Sequence, residues 1–168
     1  MAFWSPIGHL EGQRLREHTL TRLPFASLIL VGCVAGGDAM RPPVDFPFAT
    51  VSRDCGPADG PAVAIYLTPT AVDKPDPSPP FVRIAIWDSP EAVAGRTWTW
   101  PRAASKATAL RCDVTGSSCV SSTSGSVTLG TFGPDSALTA IVDVRFSDGA
   151  RIQGGVRATW YSRRIACG

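Results

Sequence analysis

The sequence predicts an all-β domain, an antiparallel β-sandwich or small barrel of about seven short strands. Three observations predict it. Apolar residues recur with a period of two from Cys55 onward. Turn-forming residues separate these runs at short intervals, in a chain of 168 residues that holds 16 Gly and 15 Pro. No long stretch of the same region repeats with a helical period.

The elements follow in chain order. Val63, Ile65 and Leu67 alternate with Ala64, Tyr66 and Thr68 in a first strand. Thr68 to Pro80 is a long Pro-rich connection. Val82, Ile84 and Ile86 mark a second strand, and Asp88-Ser89-Pro90 a turn leading to a short helical turn over Glu91–Gly95. Arg96–Trp100 predicts a third strand, stopped by Pro101, and Ala107–Cys112 a fourth. Ser126–Phe132 sets Val127 and Leu129 on one face. Leu138, Ala140, Val142, Val144 and Phe146 give the cleanest alternation in the chain. Ser147-Asp148-Gly149 supplies turn chemistry, and Arg151–Tyr161 returns as the hairpin partner. Gly154-Gly155 within it predicts a bulge or a close backbone approach. Ile165 is read as extending a last short strand.

Charge narrows the functional classes. Charged residues make up 18% of the chain and formal net charge is +2. A nucleic-acid partner calls for a concentrated basic stripe, so none is expected.

The first 32 residues read as an address. Arg14, Arg16 and Arg22 precede the apolar run Leu23–Gly32, the layout of an export signal. The run is too short to cross a bilayer, which takes about 20 residues. It ends in Leu30-Val31-Gly32-Cys33, which resembles the lipobox of bacterial lipoproteins. That resemblance implies cleavage before Cys33, acylation of its thiol and new amino terminus, and attachment to a membrane through lipid. Val34 in place of an Asp after the Cys implies outer-membrane sorting. The expected organisation is an export signal over 1–32, a lipid-anchored tether over 33–54 and a β domain over 55–168, with Phe46 and Phe48 docking onto the domain. Both histidines, His9 and His18, fall in the removable segment. The remaining chain then lacks the imidazole on which Ser-His-Asp and Cys-His hydrolases depend.

The other four cysteines, Cys55, Cys112, Cys119 and Cys167, read as two disulfides in an exported chain. Their closest spacing is C-x6-C, unlike the close pairs of zinc sites, and no metal or cofactor is expected. Of the three pairings, Cys55–Cys167 and Cys112–Cys119 are expected. Cys55 opens the domain and Cys167 closes it, and domain ends often lie close together. Thr115-Gly116 supplies a turn inside the short loop.

A second resemblance covers the C-terminal part. Ser126-Val127-Thr128-Leu129, Val142-Asp143-Val144-Arg145-Phe146, Asp148-Gly149, Gly155, Ala158 and Cys167 resemble the C-terminal half of small, uncharacterised bacterial lipoproteins. It implies an envelope location and a β fold, and no particular activity.

Candidate chemistry is sparse. Asp143 and Asp148 read as a solvated strand residue and a turn residue. Asp73, Asp76 and Asp88 lack the spacing of a calcium loop, and Ser105-Lys106 reads as loop chemistry. Trp98 and Trp100 share one strand face with Arg96, opposite Thr97 and Thr99. They either fill the core or form a platform for a sugar ring or partner protein. The inward reading is expected, with at least one indole N–H bonded to a backbone carbonyl. The functional expectation is a non-catalytic envelope module for binding, adhesion or scaffolding, with an envelope protein or glycan as partner. The alternative is a histidine-free secreted enzyme such as a carbohydrate-active hydrolase.

Overall fold

Alternating runs become strands when neighbours take up their backbone groups. Here consecutive runs do so one after another until the chain meets its own beginning. The computed structural model describes residues 41–102, 105–132, 137–162 and 165–167. The expected export signal, Cys33 and the first part of the expected tether lie outside these residues.

The strands are β1 (Phe48–Cys55), β2 (Pro61–Thr68), β3 (Phe81–Ile86), β4 (Thr97–Trp100), β5 (Ala107–Cys112), β6 (Cys119–Phe132), β7 (Ala137–Phe146) and β8 (Arg151–Tyr161). One helical turn, α1 (Pro90–Val93), joins β3 to β4. Ser89 caps it, its hydroxyl accepting from the amide of Ala92. β1, β2, β3, β5, β6, β7 and β8 pair antiparallel in chain order. β8 then pairs with β1 in parallel, and the sheet closes into a barrel of seven strands.

The parallel closure is a consequence of the odd count. Strands in a meander alternate in direction, so the first and the seventh point the same way. The closing seam is short: Ala49–Ser52 against Ala158–Tyr161. Parallel pairing is also slightly less stable per residue than antiparallel. β5–β6 is the other short seam, with only Leu110, Arg111 and Cys112 against Ser121, Val120 and Cys119. Above it β6 changes partner, and β4 takes the same edge through Thr97–Trp100 against Thr128–Gly125.

The barrel is filled by its own side chains, as a narrow barrel must be. Val51, Ile65, Leu67, Ile84, Ile86, Val127, Leu129, Leu138 and Val142 are fully buried inside, and Phe46 joins them from the lead-in before β1. Outside the barrel, Tyr66 and Phe81 meet edge to face at 5.3 Å. Arg83 pairs there with Asp54. Burial lowers the pKa of Arg83, but the hydrogen bond and charge of Asp54 outweigh it and hold the guanidinium up. Burial likewise raises the Tyr66 hydroxyl. The Pro-rich connection is fastened to the outside where the Tyr161 hydroxyl donates to the Val72 carbonyl, 3.2 Å away.

The all-β barrel agrees with the fold class read from sequence, and four details differ. Residues 48–54, read as tether, form most of β1. Their pattern was hidden because Thr50 and Ser52 are buried alongside Ala49 and Val51, so the strand shows no polar face. β6 begins at Cys119, seven residues before the expected start, since its Ser-rich first half has no apolar alternation. The described strands number eight, seven of which close the barrel, in keeping with the count of about seven. Ile165 is not in a strand. Phe46 docks as expected, whereas Phe48 stays half-exposed on the outer wall.

Both disulfides sit on the short seams. Cys55–Cys167 spans the end of the β1–β8 closure with Cα atoms 5.6 Å apart. Cys112–Cys119 joins the last β5–β6 pair with Cα atoms 4.1 Å apart, near the roughly 4.5 Å of a non-hydrogen-bonded antiparallel pair. The long bridge closes 112 residues of separation and the short one 7. Chain entropy makes them worth about 4.8 and about 2.5 kcal/mol. Denaturant unfolding is expected to show a larger loss for the Cys55→Ala/Cys167→Ala pair than for Cys112→Ala/Cys119→Ala. Equal losses would mean that loop closure does not set their contribution.

Candidate functional site

The tryptophan strand sits where the barrel wall changes partner. Trp98 stands opposite Val127 and Trp100 opposite Gly125. Val127 is fully buried, so this face of β4 turns inward. Thr97 and Thr99 face out, and the hydroxyls of Thr97 and Thr128 lie 2.8 Å apart. Arg96, at the start of the strand, is exposed.

Trp100 is 6% exposed and belongs to the core. Its ring lies over Gly125: a Cβ built there would come within 2.4 Å of the indole. The indole N–H donates to the Ser122 hydroxyl at 2.8 Å, not to a backbone carbonyl. The reason is local. β5 leaves β6 after Ser121, so the amide of Ala109 needs another acceptor. It donates to the same Ser122 oxygen at 3.0 Å. One hydroxyl therefore serves a main-chain amide and an indole at the point where the ladder is interrupted. Trp98 is only partly buried against the core. Its indole nitrogen is buried and has no hydrogen-bond partner among the described residues.

Asp88, Asp143 and Asp148 are each tied to a different basic side chain. Asp143 on β7 takes a two-pronged bond from Arg151 on β8, at 2.8 and 2.7 Å. That bond holds its carboxyl below the ordinary carboxylate range. Asp148 accepts from the Ala150 amide in the β7–β8 turn and pairs with Arg111, whose guanidinium also lies over Phe146. Asp88 is bonded by Lys106 at 2.9 Å and by the Ser89 amide, and both hold its pKa down. Ser105 bonds the carbonyls of Thr99 and Ala107, which places Ser105-Lys106 in loop support. Among the described residues no three His, Cys, Asp or Glu side chains gather as a metal site.

The sequence marked Phe46 of the lead-in segment 41–47 as docking, but not the backbone pairing of that segment with β8. The segment runs against the edge of β8 that β1 leaves unpaired, and the Gly155 amide donates to the Arg41 carbonyl at 2.9 Å. Gly154 has φ +156°, and a Cβ there would meet the Arg41 oxygen at 2.5 Å. Gly154-Gly155 is thus the close backbone approach that the sequence suggested, and its partner is this segment. Two shallow hollows flank Val44. One of about 270 Å³ lies between Pro43–Phe46 and Arg151–Gln153. The other, of about 360 Å³, is lined by Arg41, Pro42, Val44, Gln153 and Gly154.

Comparison with protein-family models, curated proteins and solved structures finds no match to this chain.

The junction gives a graded prediction. Trp100→Ala is expected to cost about 3–5 kcal/mol, as large aromatic deletions in cores do. Ser122→Ala leaves a buried amide and an indole N–H without an acceptor and is expected to cost about 1–3 kcal/mol. Chemical denaturation of both variants checks this. A Ser122→Ala protein as stable as the parent would remove the hydroxyl from its proposed place in the wall.

Proposed function

We propose that the protein is a cell-envelope lipoprotein: a non-catalytic module, anchored by lipid at Cys33, that presents the outside of a disulfide-closed barrel to an envelope protein or glycan. The observation that carries this reading is the sequence Leu30-Val31-Gly32-Cys33 at the end of an apolar run preceded by Arg14, Arg16 and Arg22. The two disulfides support it, because such bonds persist in oxidising compartments outside the cytoplasm. A barrel interior packed with side chains leaves the outer wall and the rims as the surfaces for recognition. Diacylation at Cys33 together with an acylated amino terminus exceeds the two lipid signals needed for stable anchoring.

Metabolic labelling with a fatty acid is expected to mark the wild-type chain and leave Cys33→Ser unlabelled and released from membranes. Recovery of only the full-length, unlabelled precursor from wild-type cells would contradict the reading.

A further inference from the structure

The barrel has two ends, and exposed apolar side chains gather at one of them. β1, β3, β6 and β8 run towards one end, and β2, β5 and β7 run back. The end from which β1 starts also carries the 69–80 connection, the β5–β6 hairpin tip and the β7–β8 turn. Among the described residues four large hydrophobics are exposed, and three lie there. Val44 is 87% exposed on the lead-in beside Arg151–Gln153, Phe48 is 44% exposed at the first position of β1, and Val114 is 74% exposed at the β5–β6 tip. The fourth, Ile141, stands on the β7 wall at 37%.

These three side chains belong to different parts of the rim. Val44 and Phe48 are near the β1–β8 seam, and Val114 is at the β5–β6 seam across the ring. Hydrophobic points on opposite sides of a rim can touch one flat surface together. The chain enters the barrel at this same end, at Arg41, eight residues on from Cys33. An extended stretch of that length reaches about 28 Å at most. Under the lipoprotein reading the leash holds this rim, and not the far one, next to the bilayer.

We propose that this rim docks on the phospholipid surface to which Cys33 is anchored, with Val44, Phe48 and Val114 entering the interface. The inference rests on the anchoring reading and adds an orientation to it. Charges around the rim are mixed: Arg41 with Asp45, Lys74 with Asp73, and the Arg111–Asp148 and Arg151–Asp143 pairs. Docking is thus apolar and does not require anionic headgroups. The barrel stands upright, and the β1–β2 turn and Trp87 face away from the membrane.

The test uses the full acylated chain, purified from membranes and reconstituted in zwitterionic vesicles of brominated phosphatidylcholine, which quenches nearby indoles. Val44→Trp, Val114→Trp and, as a control at the far end, Pro57→Trp are compared with the parent chain; all three positions are exposed. The expected result is loss of the added emission for Val44→Trp and Val114→Trp, and full added emission for Pro57→Trp. Acylated protein in which neither rim indole is quenched overturns the docking and leaves the anchoring standing. That result is also expected if the rim instead pairs two copies of the chain. Quenching of the control as strongly as the rim positions overturns the upright orientation. Absence of the acyl label sinks the anchoring reading and the docking with it.

Discussion

The parallel seam between β1 and β8 is the constraint on which the rest of this structure depends. Seven strands wound as a meander leave their first and last members running the same way, so closure must be parallel. The ladder that achieves it covers only Ala49–Ser52 and Ala158–Tyr161. A barrel without that closure would expose two strand edges and the side chains that fill its interior. The chain adds a fastener at each end of the seam. Cys55 and Cys167 emerge at the same end because the strands are parallel, and they are covalently joined there. At the other end the lead-in lies on the β8 edge through the Gly155–Arg41 bond. On the outer face, Tyr161 ties in the 69–80 connection.

The second weak place follows the same logic. β6 is long enough to need two neighbours along one edge, and β5 and β4 share it. The gap between them would strand the Ala109 amide. Ser122 closes it with a hydroxyl that also holds the Trp100 ring over Gly125. The second disulfide pins the lower part of this edge. Cross-links and side-chain hydrogen bonds therefore stand where backbone pairing is thin. The long β7–β8 and β1–β2 ladders have no disulfide within them.

Much of this was legible in the sequence, and the limits have physical causes. Val63–Leu67, Val82–Ile86 and Leu138–Phe146 each have one face on the core, so their alternation marks them plainly. The turn residues Gly116 and Gly149 both adopt positive φ, as their positions suggested. The cysteine spacing pointed to the pairing that the strand directions bring about. β1 was not legible, because both of its faces are buried and its period is hidden. Ser122 was not either: a serine serving an amide and an indole is defined by where β5 parts from β6, which no local pattern records. The partner of Gly154-Gly155 lies over a hundred residues earlier in the chain, so the sequence showed the need for space without showing what fills it. For Trp98 and Trp100 the period gave the shared face, and the pairing with Val127 and Gly125 turned that face inward.

Native-state hydrogen exchange tests the central claim about the seam most directly. It is measured on the intact chain and on the Cys55→Ala/Cys167→Ala variant. If the bridge holds the parallel closure, its removal accelerates exchange first at residues 49–52 and 158–161, while the middle of the β7–β8 ladder keeps its protection. Uniform acceleration around the barrel, or loss that begins in the β7–β8 ladder, would contradict the account.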